Sequence, residues 1–120
     1  MLVLALLACA HEVAITPSQG GCTDFSYEDP APSEVVWEPH ADGVTITRTN
    51  ILLDEAGLTF SPEVAIDGKL LEVREFWTDP ASEDQFCYTA SLYVEGFAGQ
   101  LEVRWYLEDA ATPFQTILIE

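Results

Sequence analysis

The chain has 120 residues, of which 21 are acidic and only four are lysine or arginine, so its formal net charge is −17 at pH 7. This charge excludes a nucleic acid as partner, because so few cations cannot neutralise its phosphates, and an anionic membrane surface would repel the chain as well. The apolar content of 48% excludes a disordered chain and predicts one folded domain.

The first ten residues form an uncharged apolar run that contains a cysteine. The run is too short to cross a bilayer, but it has the length of the apolar region of a signal peptide. The sequence Leu6-Leu7-Ala8-Cys9 resembles the lipobox of bacterial lipoproteins. The resemblance implies a signal peptide over residues 1–8 and a lipid on Cys9. Because Ala10 follows the cysteine, it also implies sorting to the outer membrane of the bacterial cell envelope.

Two other interpretations of this segment remain open. Ala8-Cys9-Ala10 fits the small-x-small pattern of an ordinary cleavage site, which would release a soluble secreted protein that starts at His11. Alternatively, residues 2–7 form a buried N-terminal strand.

Residues 9–33 are predicted to form a lipidated N-terminus and an acidic tether. Prolines and glycines interrupt the segment repeatedly, at Pro17, Gly20, Gly21, Pro30 and Pro32. Such a composition is typical of a linker between a membrane and a folded body. Residues 13–15 could still add an edge strand.

The cysteine count favours an oxidising compartment. Cys9 either carries the lipid or leaves with the leader, so Cys22 and Cys87 remain as a disulfide pair. Closing the loop between them would stabilise the fold by about 4 kcal/mol in the chain-entropy model.

Residues 34–120 are predicted to form an all-β domain, an antiparallel, immunoglobulin-like β-sandwich of six to seven short strands. Apolar and β-branched runs separated by turn residues indicate strands near residues 35–38, 44–49, 63–73, 86–94, 101–107 and 114–119. A change of phase predicts a bulge near residues 48–50. Asp67-Gly68 between two apolar runs predicts a two-residue type I′ hairpin.

Two groups of exposed residues are candidate binding sites. The acidic loop that contains Asp79, Glu83 and Asp84 offers oxygen ligands that calcium prefers. Tyr93, Tyr106 and Phe97 are aromatic residues predicted on outward faces of neighbouring strands or in the turn between them. They form a candidate patch for an envelope protein or a glycan.

Catalysis has little support in the sequence. No nucleophile elbow is present, and His40 after Pro39 is interpreted as a solvated turn residue. Glu75 lies on an apolar strand face, where an ionised acid requires a partner such as Arg48 or Arg104 unless the face switches at the end of the strand; the alternative is a catalytic acid with a raised pKa.

The sequence therefore predicts a lipid-anchored envelope module with a binding or structural role, no enzymatic activity, and no cofactor apart from the candidate calcium ion. The alternatives are a secreted calcium-binding adhesion module and a carboxylate-based hydrolase.

Overall fold

Ten β-strands account for most of the described chain, which comprises residues 13–23, 25–79, 86–97 and 99–120 of a computed structural model. In chain order they are β1 (Ala14–Gly21), β2 (Val35–His40), β3 (Gly43–Leu53), β4 (Thr59–Phe60), β5 (Glu63–Asp67), β6 (Leu70–Glu75), β7 (Trp77–Thr78), β8 (Phe86–Glu95), β9 (Leu101–Leu107) and β10 (Gln115–Ile119). These ranges contain no helix that is long and apolar enough to cross a membrane. The predicted leader and Cys9 lie outside the described residues.

Two four-stranded sheets contribute to one hydrophobic core. Sheet I has the order β1-β8-β3-β2 and sheet II the order β10-β9-β6-β5, while β4 and β7 form a small third sheet. Alternate side chains of a strand point to one face, and the inward residues of both large sheets belong to one buried cluster. Its fully buried members include Ile46, Leu92 and Val94 from sheet I and Leu71, Val103 and Trp105 from sheet II. The predicted all-β sandwich is confirmed.

Two details of the sandwich differ from the prediction. The described residues contain ten strands rather than six or seven, partly because β4 and β7 are only two residues long and carry no readable alternation. In addition, β6 and β9 pair in parallel, whereas the other strand pairs are antiparallel. Parallel strands need a long crossover, and here the chain between them passes through β8 of sheet I. This parallel pair departs from the antiparallel sheets of an immunoglobulin domain.

Strand β1 occupies part of the segment predicted to be a tether. It pairs with β8 over its whole length, and its position at the sheet edge tolerates Pro17, which has no N–H to donate. The side-chain amide of Gln19 donates to the carbonyl of Leu58 and accepts from the N–H of Phe60 at 2.6 Å, which fastens β1 to β4. The folded body therefore includes residues 14–21, and the predicted boundary at residue 34 lies too far along the chain.

The bulge in β3 lies where the change of phase predicted it. The pairing of β3 with β8 shifts between Arg48 and Ile51, and Asn50 has a φ of 51°. Val44, Ile46 and Arg48 face inward before the bulge, and Ile51 faces inward after it. The bulge thus lets side chains from both halves of this long strand point into the core.

The β5–β6 hairpin is confirmed, but its turn differs from the predicted one. Asp67 pairs with Leu70, so the two loop residues are Gly68 and Lys69 rather than Asp67 and Gly68. Of these two, only Gly68 has a positive φ, 61°. A positive φ at the first loop position alone is the pattern of a type II′ turn, which requires glycine there.

Candidate functional site

The outer face of sheet I is rich in hydroxyl groups. In the register of the sheet, Tyr93 of β8 lies between Thr16 of β1 and Thr45 of β3. In the next outward row, Ser91 lies in the same way between Ser18 and Thr47. We call this surface the hydroxyl face; it comprises Thr16, Ser18, Thr45, Thr47, Thr89, Ser91 and Tyr93.

A histidine and a tyrosine meet at one end of the hydroxyl face. His40, the last residue of β2, places its Nε2 atom 2.8 Å from Thr45 Oγ1, and its ring meets that of Tyr93 edge to face at 5.8 Å between centroids. Partial burial raises the pKa of the Tyr93 phenol, and the negative charges of Glu95 and Asp42 raise it further. Tyr93 is therefore a neutral hydroxyl donor at physiological pH.

A cleft of about 380 Å³ opens beside β2. We call it the β2 cleft; it is lined by Val36, Trp37, Glu38, His40, Thr45 and Thr47. The outward side chains of the cleft are those of Val36, Glu38, His40, Thr45 and Thr47, whereas Trp37 pairs with the buried Ile46 and lies on the inward side of the edge strand, where it is 38% exposed. The Thr47 hydroxyl lies 2.8 Å from that of Ser91, which joins the cleft to the middle of the hydroxyl face.

The buried carboxylate of Glu75 is held by three side chains. Arg48 Nη1 donates to both of its oxygens, at 2.9 and 2.8 Å, and the indole N–H groups of Trp77 and Trp105 donate at 2.7 and 2.8 Å. Glu75 as a whole is only 4% exposed. The predicted arginine partner is thus Arg48, whereas Arg104 pairs with Glu102 on the outer face of sheet II. This saturated environment favours a structural role for Glu75 over catalysis.

Arg48 also contacts residues that precede the edge strands β2 and β10. Its Nε atom donates to Ser33 Oγ at 3.0 Å, and its guanidinium lies 4.5 Å from the centre of the Phe114 ring. The side-chain amide of the neighbouring Gln115 accepts a hydrogen bond from the N–H of Val35 at 2.8 Å and donates one to the carbonyl of Val35 at 3.0 Å. These contacts join β2 at the edge of sheet I to β10 at the edge of sheet II.

The structure does not bring the predicted aromatic patch together. Tyr93 lies on the outer face of sheet I, whereas Tyr106 lies on the outer face of sheet II, where its hydroxyl is 3.2 Å from Glu72 and Arg74 covers its ring at 4.7 Å. Phe97 is partly buried against the core. Sequence alternation showed that both tyrosines point outward, but it could not show that they point in opposite directions.

The predicted calcium ligands are only partly described. Asp79 is exposed and has a φ of 58°, whereas Glu83 and Asp84 lie outside the described residues. Across the described ranges, no three His, Cys, Asp or Glu side chains are grouped to hold a metal ion. The calcium site stays a prediction.

The predicted disulfide is present. Cys22 and Cys87 are bonded, with their Cα atoms 5.5 Å apart. The bridge fixes the chain just after β1 to the beginning of β8, and Cys87 is 3% exposed. It therefore locks the edge strand of sheet I onto the strand with which it pairs.

The β2 cleft cannot be predicted from the sequence. The position of His40 after Pro39 indicates a solvated turn residue, but His40 pairs with Gly43 as the last residue of β2. The alternation of Thr45 and Thr47 in the sequence indicates that both hydroxyls point outward. Only the register of the sheet shows that β2 and β8 lie on either side of them. No protein-family model matches the chain, and neither the curated proteins nor the solved structures include a significant match.

Proposed function

We propose that the chain is a lipid-anchored binding module of the bacterial cell envelope, without catalytic activity. The lipobox-like Leu6-Leu7-Ala8-Cys9 supports the anchor. The disulfide between Cys22 and Cys87 supports an extracytoplasmic location, because such bonds persist in oxidising compartments and are rare in the cytosol.

The observation that carries the binding role is the contrast between the hydroxyl face and the rest of the molecule. The chain has a net charge of −17. The paired outward positions of the central strands β3 and β8, Thr45 with Tyr93 and Thr47 with Ser91, nevertheless carry hydroxyl side chains. The aromatic ring on this face is that of Tyr93, a residue type enriched at binding interfaces, and it meets the ring of His40. A surface that presents hydroxyl groups and an aromatic ring, with acidic but no basic side chains in the adjacent cleft, suits recognition of a polar, uncharged partner.

The start of β1 constrains how an anchored module would stand on the membrane. Only residues 10–13 separate Cys9 from Ala14, and a fully extended chain spans at most about 3.5 Å per residue. The end of sheet I where Ala14 pairs with Glu95 would therefore lie within roughly 18 Å of the lipid. Strand β1 would then run from the membrane-facing end of the sandwich towards the disulfide.

Cell fractionation of the wild type and a Cys9→Ser variant tests the anchor. We expect the wild type in the membrane fraction, resistant to extraction by high salt, and the variant absent from the lipid-anchored pool. The matched control is the double variant Cys22→Ser/Cys87→Ser, which loses two cysteines but retains the lipid attachment site. Salt-extractable wild-type protein, or equal membrane retention of the Cys9→Ser variant, would contradict the proposal.

A further inference from the structure

We infer that the open edge of β5 binds an extended, basic segment of a partner protein, which adds to sheet II as a further strand. The site is separate from the hydroxyl face of sheet I and goes beyond the function proposed above. The inference follows from the direction of the main-chain groups of β5, from the protection of the edges of sheet I, and from the charges along β5. These are independent observations.

Two residues of β5 direct their main-chain N–H and C=O groups away from the sheet. The carbonyls of Lys69, just before β6, and of Glu75, at its end, accept hydrogen bonds from N–H groups on the β9 side at 2.8 and 3.1 Å. Main-chain direction alternates along a strand, so the odd-numbered residues of β6 bond to β9 and the even-numbered ones to β5. The register pairs even-numbered residues of β6 with odd-numbered residues of β5. The N–H and C=O groups of Val64 and Ile66 therefore face the open edge.

Proline and side-chain contacts protect the edges of sheet I, but not the edge at β5. Pro17 in β1 and Pro39 in β2 have no N–H to donate, and the Gln115 side chain occupies both main-chain groups of Val35. The same Gln115 joins β10, at the other edge of sheet II, to β2. Strand β5 contains no proline, and within the described part of the chain it pairs with β6 alone. An edge without such protection is a template for strand addition.

The charged side chains along this edge favour a basic partner. Glu63 and Asp67 occupy outward positions of β5, and neither forms an ion pair with another described residue. Lysine or arginine at alternate positions of an added strand would lie opposite these two carboxylates, an arrangement that stabilises strand pairs. The net charge of −17 also attracts a basic segment from a distance.

Apolar surface and a cleft extend the same site on the two faces of sheet II. On the inner face, Val64 and Ile66 lie beside the open edge, and Ile66 is 37% exposed, so apolar side chains of an added strand would cover it. On the outer face, a cleft of about 340 Å³ is lined in part by Ala65 and Glu72. The small side chain of Ala65 leaves room for a long side chain to lie across β5 towards the carboxylate of Glu72. The matching segment therefore alternates basic and apolar residues.

A second copy of the chain is a poorer occupant of this edge. Antiparallel pairing of two β5 strands about Ala65 would set Glu63 of each copy opposite Asp67 of the other. Like charges at directly opposite positions destabilise a strand pair, and the net charge of −17 on each copy adds to the repulsion. A basic segment meets attraction at the same positions.

Isothermal titration calorimetry of the purified full-length protein, in a non-ionic detergent at low ionic strength, tests the inference. The probe is a heptapeptide with blocked ends in which lysines alternate with valines, beginning and ending with lysine. The control peptide has the same composition, but its valines are consecutive. Because it carries the same charge without the alternation, it measures non-specific attraction to the acidic protein.

Two pairs of variants separate main-chain pairing from charge. Ile66→Pro removes a donor that β6 does not use, and proline is tolerated at such edge positions. Ile66→Ala is its matched control, because it shortens the same side chain but retains the N–H. Glu63→Gln/Asp67→Asn removes both charges of the edge, whereas Glu28→Gln/Asp29→Asn removes as many at exposed positions outside the strands.

We expect the alternating peptide to bind with a dissociation constant of about 10–100 μM, and the control peptide at least about tenfold more weakly. Ile66→Pro should weaken binding about tenfold or more, and Ile66→Ala about threefold or less. Glu63→Gln/Asp67→Asn should weaken it about three- to tenfold, while Glu28→Gln/Asp29→Asn changes it less than about twofold. Thermal melting verifies folding, and the two charge variants decide the result if Ile66→Pro does not fold.

Three results would overturn the inference. The first is that the alternating peptide does not bind at about 1 mM, or binds no more tightly than the control peptide. The second is that folded Ile66→Pro binds as tightly as Ile66→Ala, or that the two charge variants bind alike. The third is that sedimentation shows a dimer dissociated by Ile66→Pro, which would assign the edge to a second copy of the chain.

Discussion

Removing the acceptor at the centre of the sandwich should be the most damaging single change in the described core. In a Glu75→Leu variant, the guanidinium of Arg48 and the indole N–H groups of Trp77 and Trp105 all lose their shared partner. Arg48 has a side-chain exposure of 11% and Trp105 is fully buried, so water cannot readily replace the lost bonds. The variant therefore leaves a cation and a buried donor without an acceptor.

The magnitude follows from the burial of these groups. Removing one partner of a buried ion pair costs about 3–5 kcal/mol, and an unsatisfied buried donor such as the Trp105 N–H adds about 1–3 kcal/mol. Arg48→Met should cost less than Glu75→Leu, because it leaves the carboxylate with both indole donors. A domain of this size has a total stability of about 5–15 kcal/mol, so Glu75→Leu should be marginally folded at best.

Urea unfolding monitored by tryptophan fluorescence measures these differences. Glu72→Gln is the matched control, since Glu72 is on the opposite face of β6 and its partner Tyr106 is also partly exposed; it should change the free energy of unfolding by about 1 kcal/mol or less. The double variant Arg48→Met/Glu75→Leu should lose less than the two single variants combined, because the pair is coupled. A cost below about 1 kcal/mol for Glu75→Leu would refute the account of this core.

Three further predictions concern the disulfide, a glycine and a tyrosine. Replacing both Cys22 and Cys87 by serine should lower the free energy of unfolding by up to about 4 kcal/mol in urea titrations, and an unchanged midpoint would show that the bridge constrains nothing. Gly43→Ala should destabilise strongly, because the added Cβ would lie 2.1 Å from a carbonyl oxygen of β8, whereas Gly20→Ala meets only a side-chain oxygen at 3.3 Å; equal melting temperatures would contradict this close approach. The raised pKa of Tyr93 means that the folded state favours the neutral phenol, so the contribution of Tyr93 to stability is complete below the ordinary tyrosine pKa and decreases as the pH rises through about 10 and above. Tyr93→Phe should therefore flatten the alkaline decrease in melting temperature and remove the late part of the ultraviolet titration; loss of an early part instead would contradict the raised pKa.

The parts of the fold that depend on local pattern could be predicted from the sequence. In β9, strict alternation placed Leu101, Val103 and Trp105 inside, and all three are fully buried. The β5–β6 hairpin followed from Asp67-Gly68, although the turn type did not, because the position of the loop depends on which residues pair. The bulge in β3 was also readable, since the inward positions change phase along that strand.

The parts that depend on long-range pairing could not be predicted in the same way. Strand β1 contains a proline and two glycines that read locally as breakers, and it forms because β8 offers it a partner over eight residues. The meeting of His40 with Tyr93 requires the register of three strands, and no single segment of the sequence contains that information. The sequence leaves Arg48 and Arg104 as candidate partners of Glu75. Arg48 is the partner because it faces the core just before the bulge in β3.

The intact mass of the protein recovered from bacterial membranes, before and after reduction, tests the central claim of a disulfide-closed, lipid-anchored module most directly. The account predicts a mass equal to residues 9–120 plus a diacylglycerol-type lipid on Cys9, with a gain of two hydrogens on reduction of the Cys22–Cys87 bond. An unlipidated mass that starts at His11 would contradict the anchor and indicate a secreted domain. An intact Met1 would contradict processing and return residues 2–7 to the fold.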